Sequence, residues 1–170
     1  IGMFEHADHA QPRREHGYCT DDVARLLIVA VRETDEAQEL RELSRTAFRF
    51  MAASQSATGR TRNRRAAGGR WRSRYGVEDC WGRSLWAFGT AARRAPEEWM
   101  RSSASSYFDH GVKQRSPHRR AMAFAALGAA EIVEGNPRHF RARSLLADAV
   151  TAIGPLSTEP AWPWPEPRLS

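Results

Sequence analysis

Two pairs of adjacent carboxylates, Asp21-Asp22 and Glu78-Asp79, stand where polar turns run into apolar helical stretches, and in each pair one aspartate is followed four residues later by an arginine: Asp21 by Arg25, and Asp79 by Arg83. Glycoside chemistry needs such carboxyl groups in pairs, one protonated to release the leaving oxygen and one ionised as base or nucleophile. A helix N-terminus favours negative charge, so these four groups suit the ionised role and are poor general acids. Glu166, between prolines and beside Trp162 and Trp164, has the better environment for the acid. Trp81, Trp162 and Trp164 offer flat faces to sugar rings, whereas Trp86, inside a helical run, reads as core. Arg25 and Arg83 fit bidentate pairing with the carboxylates or contact with a phosphate of a sugar nucleotide. Plain capping by Thr20 or Asp21 explains the first pair equally well.

His6, His9, His16 and Cys19 form H-x2-H-x6-H-x2-C, donors of the right chemistry for zinc at an unusual central spacing. His16 and His9 serve equally as sugar hydrogen-bonding groups beside Tyr18, or as ordinary loop histidines. The expected ligand set for a metal is none, and no cofactor is implied.

The elements that must carry these residues are helices. Hydrophobic periodicity predicts them at about 21–33, 36–54, 78–93, 96–110, 117–134 and 137–153. The odd-numbered ones are apolar and rich in small residues, as in Ala121, Ala123, Ala125 and Gly128; the even-numbered ones are amphipathic. A helix apolar all round is expected to be buried all round, and an amphipathic one to cover it. The expected fold is therefore all-α, three hairpins of buried inner and half-exposed outer helices. Arg25, Arg83 and Arg120 each open an inner helix, a weak repeat of the kind that builds solenoids or toroids. In a closed toroid the inner helices run parallel, which would gather Asp22, Glu78 or Asp79, and His16 at one face.

Composition narrows the classes. With 41% apolar and 27% charged residues the chain is ordinary for a globular domain, and no run approaches the ~18 apolar residues of a membrane span. The net charge of +6 is almost all arginine, Lys113 being the only lysine, and that bias together with abundant alanine fits GC-rich coding. Its dense part is an arginine- and glycine-rich loop at about 55–77, read as a solvated loop rather than a nucleic-acid arm. Cys19 and Cys80 are expected as free thiols in a cytoplasmic protein without a secretory leader. The opening Ile1-Gly2-Met3 and the proline-rich end suggest a piece of a longer polypeptide.

The blocks HGYCTDDVAR, YGVEDCWGRSLWAFG, SPHRRAMAFAALG and WPWPEPRLS resemble the bacterial six-hairpin (α/α)6-toroid domain found behind glycosyltransferases, similar in architecture to the six-hairpin glycosidases. Val23 stands where the family usually has Asn, and residues 61–74 carry arginine and glycine where it has aromatic and acidic residues. The resemblance implies that residues 1–170 form about half a toroid, that a saccharide or glycan is the partner, and that a fused glycosyltransferase domain accompanies it. A carbohydrate-active domain is thus the first expectation. A non-catalytic helical interaction module with polyanion affinity is the alternative.

Overall fold

The computed structural model describes residues 2–33 and 37–154. Six helices account for most of it: α1 (Thr20–Arg32), α2 (Gln38–Ser54), α3 (Asp79–Arg94), α4 (Glu98–Gly111), α5 (Arg119–Gly135) and α6 (Phe140–Ile153). Four two-residue strands complete it: β1 (Ala7–Asp8), β2 (Gln11–Pro12), β3 (Tyr18–Cys19) and β4 (Arg64–Arg65). The all-α expectation holds, and the helix bounds fall within three residues of those read from periodicity. Among the described residues no helix is long and apolar enough to cross a membrane.

The helices pair in sequence order, α1 with α2, α3 with α4 and α5 with α6, while α1, α3 and α5 lie side by side. This gives two layers, with α3 at the centre of the first. The core runs between them through Leu27, Phe50, Met51, Leu85, Phe88 and Phe108. Phe48 of α2 meets Phe88, Trp99 and Tyr107 edge-on at 5.5–6.1 Å, closing the seam where α2, α3 and α4 converge.

Small residues decide how closely the first layer packs. A Cβ on Gly82 would stand 2.2 Å from the Ala121 carbonyl oxygen, one on Gly89 2.2 Å from that of Gly128, and one on Gly128 2.1 Å from that of Leu85. Gly82 and Gly89 fall seven residues apart on α3, where two turns bring the same face round again, and Gly128 answers them from α5. The glycine and alanine stripes that read as general burial are thus a single line of backbone contact between α3 and α5.

Burial on all sides belongs to α3 alone among the inner helices, with no exposed residue from Asp79 to Arg93. The expectation fails for α1, which exposes Arg25, Val29 and Arg32 at i, i+4, i+7, and for α5, which exposes Leu127. The reason is curvature. Arg32 of α1 reaches Glu131 of α5 at 2.7 Å although α3 lies between the two helices, so the layer is bent and the flanking helices turn one stripe towards its concave side.

The arginine-rich segment is ordered. β4 pairs antiparallel with β3, Tyr18 opposite Arg65 and Cys19 opposite Arg64. Beyond β4 the chain turns at residues 66–69 and returns, with Arg65 opposite Trp71 and Arg72 N–H donating to the Arg64 carbonyl at 2.8 Å. Gly17, at φ 76°, allows the approach of the two segments, since a Cβ there would lie 2.3 Å from the Arg65 carbonyl oxygen.

Candidate functional site at the inner-helix mouths

The starts of α1, α3 and α5 gather at one end of the first layer, and a chain of charges records it. Arg25 pairs with Asp22 at 2.8 Å within α1. Arg83 of α3 lies 3.6 Å from Asp21 of α1, and Arg120 of α5 lies 2.7 Å from Asp79 of α3. The repeat arginine of each later inner helix therefore reaches back to the mouth of the helix before it. The Arg83 guanidinium also sits 4.0 Å from the centre of the Phe124 ring. Burial and the like charge of Arg25 hold its pKa below the usual arginine value, against the pull of Asp21 and Asp79.

Asp21 departs most from the sequence expectation. Neither it nor Thr20 caps α1: Cys19 is the N-cap, and no side chain caps the helix there. The loop residues 62 and 63 pass too close. The Thr20 hydroxyl donates to the Arg62 carbonyl at 2.7 Å, and Asn63 Nδ2 donates to Asp21 Oδ2 at 2.9 Å. The other Asp21 oxygen, Oδ1, is buried and accepts no hydrogen bond from the described residues. Burial raises the Asp21 carboxyl above its usual range, with Asp79 adding to the effect; Asn63 and Arg83 oppose it without cancelling it. Desolvation outweighs the Asn63 hydrogen bond and the Arg83 charge, so the Asp21 carboxyl is raised where the sequence reading has a helix terminus lowering it.

Glu78 is the exposed N-cap of α3 without a side-chain capping bond. Trp81 has no open face: it is 0% exposed and its indole N–H donates to the Gly111 carbonyl at 3.2 Å, so it is core and not a sugar platform. Tyr18 is also covered, stacked on Phe4 at 4.7 Å. Trp86, expected in the core, is instead half-buried on the concave side and stacks on Phe124 at 6.1 Å. His16 is exposed and meets His6 edge-on at 4.5 Å, apart from the ionic chain. Trp162, Trp164 and Glu166 lie outside the described residues.

The histidines and Cys19 do not converge as a zinc set. Among the described residues the donors that come within 4.8 Å of one another are those of Glu5, Cys19 and Asp22. Arg64 pairs with Glu5 and Arg25 with Asp22, while burial pushes the Cys19 thiol up to about 12. The trio is thus already charge-compensated, with its sulfur protonated. Cys80 is likewise a free buried thiol pushed up to about 12 by burial.

Glu131 and Asn63 had no place in the sequence reading. Glu131 is buried at the opposite end of the concave face, between Arg32 at 2.7 Å, Arg94 at 2.9 Å and Arg93 at 3.6 Å. A lone acid within the apolar run from Ala121 to Val133 was the available signal. Asn63 leaves no comparable trace, because its importance comes from a contact 42 residues away in sequence.

No protein-family model matches the chain, and no curated protein matches it.

Proposed function

We propose that the inner-helix mouths form the carbohydrate site of half an (α/α)6 toroid, with Asp21 as the proton-bearing carboxyl and Asp79 as its charged partner. The observation that carries the reading is the contrast between two neighbouring carboxyl groups. Asp21 is desolvated, raised in pKa and faces Arg83, at 3.6 Å, with an oxygen that accepts no hydrogen bond among the described residues, whereas Asp79 lies 2.7 Å from Arg120. A desolvated carboxyl beside one held by an arginine is the arrangement from which an acid and its partner are drawn. Asp22, held by Arg25, is the reserve for the charged role. Trp86, half-buried on the concave face beside Phe124, supplies the apolar surface on which a sugar ring lies. On this reading α1, α3 and α5 are half of an inner ring, the protein processes glycosides or serves a glycosyltransferase, and the implied partner is a fused glycosyltransferase domain.

The test is release or transfer of sugar from a panel of glycans by the intact chain, Asp21→Asn and Asp79→Asn. Loss of turnover in both variants, with saccharide binding retained in Asp21→Asn, supports the assignment. Full turnover by Asp21→Asn, or a wild-type chain that neither binds nor converts any glycan, would end it.

A further inference from the structure

The segment 55–77 holds seven arginines and no acidic residue. Its hairpin sorts them. Arg62 lies over Trp71 and Tyr75 at 4.7 and 4.3 Å, and Arg65 over Trp71 at 5.3 Å, so these two are spent on aromatic faces. Side chains alternate along extended backbone. Trp71 and Ser73 turn inward, Ser73 Oγ accepting from Asn63 N–H at 2.8 Å, while Arg70, Arg72 and Arg74 are exposed on the other side. Arg64 stands directly across the ladder from Arg72, and Glu5 neutralises Arg64 alone. Alternate residues recur every ~6.6 Å, so Arg70, Arg72 and Arg74 make a row of cations about 13 Å long that no acid among the described residues pairs with.

The geometry points to this row as the binding site of a linear acidic polysaccharide, a chain bearing carboxylate or sulfate at regular intervals. A row fits a polymer better than a single phosphate, since successive charges on one chain can meet successive arginines. Two competing partners fit less well. Single-stranded nucleic acid needs open aromatic faces for its bases, but Trp71 lies between Phe50 and two guanidinium groups, and Tyr75 carries Arg62. A membrane surface needs an apolar tip, and this tip is Ala67-Gly68-Gly69. The choice of a saccharide among polyanions rests on the proposed carbohydrate site, to which the hairpin is joined through Asn63 and Asp21.

The test is titration of the full chain with polygalacturonate, neutral dextran and single-stranded poly(dT), at low and physiological salt. The inference expects polygalacturonate binding that weakens with salt, no dextran binding by the ladder, and a loss of about tenfold or more in the triple variant Arg70→Ser/Arg72→Ser/Arg74→Ser with unchanged melting. If that variant does not fold, Arg74→Gln alone, at an exposed side chain, must still weaken binding. Turnover of neutral glycans by the triple variant, read in parallel, keeps failure of the catalytic reading distinct from failure of this one. Equal affinity of wild type and variant for polygalacturonate, absence of such binding, or tighter binding of poly(dT) overturns the inference.

Discussion

Replacing Gly89 by alanine tests whether the contact line between α3 and α5 sets the stability of the first layer. The new Cβ would stand 2.2 Å from the Gly128 carbonyl oxygen, backbone against backbone, with no flexible side chain to yield. Relieving it to ordinary contact moves the helices apart by about 1 Å, and a gap of that size forfeits a quarter to a half of each van der Waals well along the interface. Overpacking of this kind costs about 1–3 kcal/mol, and the upper part of that range applies because neither backbone can turn aside. The better helix propensity of alanine returns about 1 kcal/mol. The net expectation is a loss of about 2 kcal/mol, read as a fall in Tm of roughly 4–8 °C for a chain of this size. Urea unfolding should show a lower midpoint at an unchanged slope. A variant as stable as wild type would refute the argument, since it would mean that the helices do not meet along this line.

Glu131→Gln leaves Arg32, Arg93 and Arg94 around an uncharged amide in a buried position, and a loss of about 2 kcal/mol is expected in chemical denaturation, the partial exposure of the arginines holding it below the full cost of a buried pair. Asp22→Asn, which breaks an exposed pair within one helix, should cost under about 1 kcal/mol. Because the folded Asp21 pKa is raised, wild-type stability from this group is greatest below the ordinary carboxylate pKa and is lost as pH rises through the folded value. Asp21→Asn should therefore gain on wild type across that window in thermal melts. Cys19 and Cys80, both buried and pushed up to about 12, should resist iodoacetamide near pH 8 in the folded chain and react readily in denaturant; fast labelling of the native protein would contradict their burial.

Helices were legible because periodicity and punctuation agree: Pro96, Pro117 and Pro137 stand just ahead of α4, α5 and α6. What lies along a helix was easier to read than what lies around it. Trp81 and Trp86 were separated by depth, one near the mouth and one deep. Five residues at about 100° each turn them some 140° apart, and that rotation buries Trp81 and opens Trp86 to the concave side. The strands left no signal because two residues do not establish an alternation. At the candidate site the clustering of carboxylates and arginines was legible in the repeat. The raised pKa of Asp21 was not, since it depends on burial beneath a loop that the sequence presents as solvated.

That loop also fixes what can be done to the chain by engineering or by evolution. A glycine- and arginine-rich insertion between two helices looks like the natural place to shorten, extend or graft. Here Thr20 binds the carbonyls of Arg62 and Asn63, and Thr20 N–H donates to the Asn63 carbonyl at 2.9 Å. The first turn of α1 is completed by a segment some forty residues downstream, not by its own preceding turn. Length changes confined to 67–69 leave those bonds in place, whereas removal of the hairpin strips the start of α1 of its partners and frees the Asp21 side chain together with it.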